Sequence, residues 1–253
     1  MRMIKGIGSS YILDAEEYVR REGVKVMSRG TTRYDAGPYM VQILGTKHFR
    51  PVKLDAKRIE RYEEYSYRET RGYLRAITSS TYWKPLASIW NKLYPSTNDV
   101  EVNSAYGRIF KDGQWHSMIK LLNKDPGSTR AGVLFNAGIG LNAGRDVLDQ
   151  PCSLSFTAHV VRDRIESVYS MRSTDVMFGF PHDIVWAMNL SALVASTIIG
   201  GHYSHYKYRL TFITSSLHSY NALPKISTDL GLALPYFCRG PYESELAFLD
   251  SGV

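Results

Sequence analysis

The feature that most constrains this chain is a strict alternation between residues 154 and 171. Leu154, Phe156, Ala158 and Val160 interleave with Ser155, Thr157 and His159. A period of two places the first set on one face of a strand and the second on the other. Arg162-Asp163-Arg164 reads as a turn, and Ile165 to Met171 returns as the partner strand. A longer apolar run, Ile184 to Ile199, follows Asp183 and ends at Gly200-Gly201. It reads as a helix, with Asp183 at its start and glycine at its stop. The run carries Asn189, Ser191 and Ser196 and is short for a membrane span.

The other segments extend the pattern. Asp14 to Glu17 resembles a capping box, and Gly23 closes the short helix it would open. Ser28 to Arg33 reads as a basic turn, and Tyr39 to Leu44 as a strand closed by Gly45. Residues 56 to 75 are rich in Glu, Arg and Tyr and predict a helix; Pro85 to Leu93 predicts a second. Lys124 to Arg130 is turn-like, Ala131 to Asn136 a strand, and Gly138, Gly140 and Gly144 mark an irregular loop. Tyr208 to Thr214 is a further strand. Hairpins outnumber any regular strand–helix–strand alternation, so the expected class is α+β. With 253 residues, and neither a repeat nor a linker, the chain reads as one domain over 1–253.

Two cysteines cannot build a disulfide framework, and Met1 to Gly6 lacks an apolar leader core, so a reducing, cytoplasmic setting is expected. The net charge of +7 favours anionic partners without choosing between nucleic acid, a nucleotide and a carboxylate-rich cofactor.

Four short segments narrow the choice. They are Pro151-Cys152-Ser153, Met171-Arg-Ser-Thr-Asp175, Gly179-Phe-Pro-His-Asp183 and Ser216-Leu-His-Ser-Tyr220. Their order and spacing resemble the thymidylate synthase superfamily, with a small insertion placed between Gly200 and Lys207. Asn103 to Gly107 and Asp125 to Arg130 fit further segments, so the resemblance covers roughly residues 10 to 225. Met171 to Phe180 and Ser216 to Tyr220 are most similar to phage-type deoxycytidylate hydroxymethylases. That branch carries Asp where thymidylate synthases carry Asn; here the residue is Asp183.

The resemblance implies a large mixed sheet backed by helices, with sheets packed back to back in a homodimer. It also implies roles. Cys152, which alone would read as a buried core thiol, becomes the nucleophile. A soft thiolate can add to a pyrimidine ring at C6 and leave again. Arg172 and Ser173 would hold the phosphate, with Arg172 lowering the thiol pKa. Arg29, with Arg33 as the competing alignment, would join them, and Arg130 would reach over from the second subunit. Asp183 would accept from the cytosine amino group, its alternative being a helix N-cap. His218 and Tyr220 would bind the sugar hydroxyl. Asp175 would sit near the base and the folate, and Tyr106 near the nucleophile. The general acid/base would be Glu63, with Tyr67 four places on; Glu60 and Glu64 are its neighbours, and such a run by default is a solvated helix face. Trp90, Gly179 and His182 would face the folate, although Trp90 also reads as core.

The implied reaction is a one-carbon transfer from 5,10-methylenetetrahydrofolate to C5 of dCMP, with water, giving 5-hydroxymethyl-dCMP. Implied partners are a pyrimidine deoxynucleoside monophosphate, folate and a second copy. No metal, membrane or nucleic acid is expected, and a phage-encoded enzyme would act in the host cytoplasm. The rivals are methylation of dUMP or dCMP, hydroxymethylation of CMP, and a catalytically idle nucleotide- or RNA-binding homologue.

Overall fold

A computed structural model describes the backbone of residues 3–6, 10–28, 30–45, 52–54, 56–135, 149–200, 207–220 and 231–233. It describes the side chains of 12–28, 30–44, 64–135, 149–200 and 207–220. In chain order the elements are β1 (Met3–Gly6), α1 (Ser10–Glu22), β2 (Val24–Ser28), β3 (Thr31–Asp35), β4 (Tyr39–Gly45) and β5 (Val52–Leu54). Then come α2 (Ala56–Leu74), α3 (Ser80–Trp83), α4 (Ser88–Leu93), α5 (Arg108–Lys111), α6 (Gln114–Lys124) and β6 (Gly132–Leu134). The rest are β7 (Ser153–Val161), β8 (Arg164–Met171), β9 (Thr174–Asp175), α7 (Phe180–Ile199), β10 (Tyr208–Thr214), β11 (Leu217–Tyr220) and β12 (Gly231–Ala233).

The alternating segment forms the β7–β8 hairpin at the heart of a mixed sheet ordered β1-β4-β10-β8-β7-β6. Residues 165, 167, 169 and 171 of β8 are buried and those between them are not. β10 repeats the pattern from Tyr208 to Thr214. The buried face carries an aromatic layer. Tyr169 stacks on Phe212 at 5.6 Å, and Phe212 meets Phe180 edge-on at 5.4 Å. Phe180 opens α7, the helix that covers this face against β10, β8 and β7. α7 is long and apolar enough to cross a membrane by length and composition, yet most of it is buried within the protein. A helix apolar all round suits that central position. A smaller sheet, β2-β3-β11-β9, and the pair β12-β5 complete the strands.

Three sequence expectations change. Thr31 to Arg33 is not loop but the start of β3, because Gly30 takes a φ of 71° and closes the β2–β3 hairpin early. Asp14 lies inside α1, which begins at Ser10, so it caps nothing. Asp183 is the fourth residue of α7 rather than its N-cap; Gly179 holds that position. Gly138, Gly140 and Gly144, and the insertion placed between Gly200 and Lys207, fall outside or largely outside the described residues.

Candidate active site

Cys152 sits just before β7, where a register shift between Ser153 and Ser155 lets the chain enter the sheet irregularly. The neighbouring strand end holds it. Arg172 follows β8, and its backbone N–H donates to the Cys152 carbonyl at 2.9 Å. The guanidinium donates from Nε to the Pro151 carbonyl at 3.0 Å and from Nη2 to the Gln150 carbonyl at 2.7 Å. A third bond runs from Nη1 to Ser173 Oγ at 3.3 Å. Arginine carries five N–H donors, so two stay available for an anion. On the other side, Tyr106 Oη accepts from the Cys152 and Ser153 N–H groups, each at 3.3 Å. The thiol lies 3.8 Å from Ser173 Oγ.

Asp149 braces the same loop. It is buried, and its carboxylate accepts from the Tyr94 hydroxyl, the Ser104 hydroxyl and, at 2.9 Å, the Ser104 N–H. The segment that carries Tyr106 is thus tied to the cysteine loop at two points.

Asp183 enters from α7. Its Oδ2 accepts from Thr174 Oγ1 at 2.6 Å. Gly179 permits this approach: a Cβ there would lie 2.9 Å from that same Thr174 oxygen. Glu69 enters from α2, and its Oε1 accepts from Tyr65 at 3.1 Å and Tyr73 at 3.0 Å. Cys152, Asp183 and Glu69 each keep some accessible surface although protein closely surrounds them. That combination marks groups at the floor of a cleft.

Burial sets their ionisation. It raises Glu69 to about 8, with the Asp183 charge adding to the rise and the two tyrosines opposing it. Burial raises Asp183 to about 7; Thr174 opposes and the Asp175 charge adds. The Cys152 thiol is also pushed up by burial. Arg172 pulls it down, as expected from sequence, but burial and the carboxylates outweigh that pull. Without ligand the thiol is therefore protonated at neutral pH.

His218 and Tyr220 lie on β11, their rings edge-to-face at 4.9 Å. Ser216 Oγ donates to Asp35 Oδ2 at 2.8 Å and lies 3.2 Å from His218 Nδ1. A carboxylate only accepts, so the single serine proton goes to Asp35 and Nδ1–H donates to the serine. Nε2 of His218 is left as an acceptor. Arg33 pairs with Asp35 at 2.8 Å, within this network.

Asp175 Oδ1 accepts from the Met177 and Phe178 N–H groups and Oδ2 from Tyr220 N–H, so it braces the turn into α7. His182 is buried, 2.6 Å from Ser66 Oγ through Nδ1 and packed on Tyr65. Burial depresses it to about 3, so it is neutral. Trp90 is 5% exposed, beside Trp83, with its indole N–H on the Tyr65 hydroxyl. Arg130 is exposed on the turn before β6. Arg29 and the side chain of Glu63 lie outside the described residues.

Two residues near these groups were not singled out from sequence. Phe178, 67% exposed, stands on the turn between Asp175 and α7. Glu69 is the other. The signal for it was present: an aromatic stands four places on, at Tyr73, as Tyr67 does after Glu63. Six residues of helix separate the two glutamates by about 9 Å along the axis and about 240° around it. They cannot serve one spot, and Glu69 is the one facing Asp183. Among the described residues no group of three metal-ligating side chains occurs.

The thymidylate synthase family pattern matches residues 54–225. The chain is 27% identical over 171 residues to deoxycytidylate 5-hydroxymethyltransferase of Enterobacteria phage T4, covering 63% of this chain and 68% of that protein. It is 31% identical over 105 residues to thymidylate synthase of Zymomonas mobilis, covering 38% and 34%. In fold it is similar to the solved thymidylate synthase from T4 phage, with a TM-score of 0.65 at 18% identity, over 95% of this chain and 91% of that one. Fold and family pattern agree: this chain belongs to the thymidylate synthase family, whose shared chemistry is the folate-dependent transfer of a one-carbon unit to a pyrimidine nucleotide.

Proposed function

We propose that the chain converts dCMP, methylenetetrahydrofolate and water to 5-hydroxymethyl-dCMP and tetrahydrofolate. The observation that carries this is Asp183, a carboxyl group within the electrostatic reach of Cys152 and freed from helix capping. Held at about 7, it is partly protonated at neutral pH. A carboxylic acid offers one acceptor and one O–H donor. Cytosine presents the complement, an N4 amino donor and an N3 acceptor. Uracil, through O4 and N3–H, would pair with the acid as well, so the choice rests on the ionised form: a carboxylate only accepts, and it meets the cytosine amino donor but repels uracil O4. The similarity to a phage deoxycytidylate 5-hydroxymethyltransferase supports the same choice.

In this reading Cys152 adds to C6 and gives up its proton. C5, now enamine-like, attacks the one-carbon unit and loses its own proton. Tetrahydrofolate departs, water adds to the exocyclic methylene, and the thiolate is expelled. Glu69 takes the acid/base role, since its raised pKa suits proton exchange near neutrality. The two open donors of Arg172, with Ser173 and Arg29, hold the phosphate. His218 Nε2 and Tyr220 receive the sugar hydroxyl. Asp175, Gly179 and Phe178 border the folate. His182 and Trp90 act from behind, through the Tyr65 ring and hydroxyl.

A homodimer completes the site. The sheet face opposite α7 carries Met40, Ile213 and Leu134 in one row, with Ser170 and Ser155 between them and Val168 one row over, and Leu134 is 55% exposed. A second copy packed there would bring Arg130 towards the phosphate.

The test is Asp183→Asn. It should lower kcat/KM for dCMP by about a hundredfold or more and raise it for dUMP. An unchanged preference would remove Asp183 as the reader of the base.

A further inference from the structure

Glu69 is gripped from both sides along its own helix. Tyr65 lies four residues before it and Tyr73 four residues after, so all three share one face of α2. Both hydroxyls bond the same oxygen, Oε1, at 3.1 and 3.0 Å. Such pairs are common on exposed helices, where they contribute little. Here the surroundings are buried, and a phenylalanine would fill the same space without a polar atom to satisfy.

The proton positions follow from donor bookkeeping. Trp90 Nε1–H can only donate, and it donates to Tyr65 Oη at 3.1 Å. The Tyr65 hydroxyl proton is therefore committed to Glu69. Tyr73 has its described hydrogen bond to the same oxygen. An oxygen that accepts two hydroxyls is the carbonyl-like one. When Glu69 is protonated, its hydrogen belongs on the other oxygen.

We propose that Tyr65 and Tyr73 are positioning residues that occupy Oε1 of Glu69 and so make Oε2 the oxygen that gives and takes the proton during one-carbon transfer. The inference rests on the acid/base reading of Glu69. When Oε2 loses its proton, two donors already point at the carboxylate, and nothing must reorient. Trp90 has a part here too: its indole N–H sets the direction of the Tyr65 hydroxyl. The other titratable groups felt around Glu69, among the described residues, are Asp183 of α7 and Tyr169 of β8, with Tyr106 next to Tyr73 and a neutral His182 against Tyr65. Asp183 pushes Glu69 up; the two hydroxyls pull it down.

The test uses the full chain with Tyr65→Phe, Tyr73→Phe and Glu69→Gln. Tyr65→Phe orphans an indole N–H; Tyr73→Phe does not, and it keeps the test sound if the first variant folds poorly. The limb of the pH–rate profile that disappears in Glu69→Gln belongs to Glu69. Each Tyr→Phe change should move that limb upward by about one pH unit. The nucleotide KM should stay within about twofold while kcat falls by about fivefold, as expected for a loss felt after binding. Infrared titration of the Glu69 carboxyl stretch, assigned by its loss in Glu69→Gln, should show the same upward shift without turnover. A slower enzyme with an unmoved limb and an unmoved infrared midpoint would mean that the hydroxyls only pack, and would overturn the proposal. Glu69→Gln at the wild-type rate would instead overturn the acid/base reading, and the infrared midpoint tells the two failures apart.

Discussion

Asp183 and Glu69 make the active site a place where the folded chain holds protons that the unfolded chain releases. Their ordinary values are 3.8 and 4.5; in the fold they stand at about 7 and about 8. Between about pH 4 and pH 8 the native state binds more protons than the unfolded one, so stability falls as pH rises through that window. Removing one of these carboxyls should relieve the cost at its upper end. Glu69→Gln should raise Tm at pH 8 by about 4 °C and leave it nearly unchanged at pH 4, measured by calorimetry without ligand. Equal shifts at both pH values would show that packing, not ionisation, dominates. Single residues were legible in the sequence only where a motif carried them. Cys152, Arg172, Asp183 and His218 stood in recognisable motifs. Glu69 did not, because three other glutamates precede it on one helix and burial, which separates them, is a property of the fold. The same holds for Asp149, whose partners Tyr94 and Ser104 lie far from it in sequence.

Among the elements, those with a clear period were legible. The β7–β8 hairpin, β4, β10 and α2 lie close to where alternation and composition put them. α7 was placed by its apolar run, but its start was not. Gly179 and Pro181 open the helix one turn before Asp183, and an acidic residue in a first turn is easily taken for a cap. α5 and α6 had no reading from sequence. Their cover of the core shows in Ile109, Phe110, Trp115 and Met118, buried side chains too short in run to announce a helix. Gly179 also fixes the entrance to α7. A methyl group there would press on Thr174 Oγ1 and the Asp175 N–H, at 2.9 and 3.2 Å. Gly179→Ala should destabilise the protein by about 1–3 kcal/mol in urea unfolding. It should also cut turnover, since the displaced hydroxyl bonds Asp183. Unaltered stability and turnover would mean that the α7 entrance is looser than described.

At the scale of the molecule, α7 covers one face of the large sheet, and among the described residues the other face is partly exposed. The covered face carries the aromatic layer and α7. The other face mixes Met40, Val168, Ile213 and Leu134 with the Glu166 carboxylate, held by Arg164 and Arg209, each at 2.6 Å. An apolar centre with a charged flank suits an interface between two copies. Sedimentation of the protein at micromolar concentration should give a dimer. Val168→Glu should give a monomer with little activity, because Arg130 would no longer be supplied in trans. An active monomer would place the whole site in one chain.

The product itself tests the reaction most directly. The protein is offered dCMP, dUMP and CMP separately, each with methylenetetrahydrofolate, and the nucleotide is weighed by mass spectrometry. The dCMP should become heavier by one CH2O unit, carried on the ring, with little conversion of the other two. A methylated uracil nucleotide with no hydroxymethylcytosine would contradict the proposed reaction.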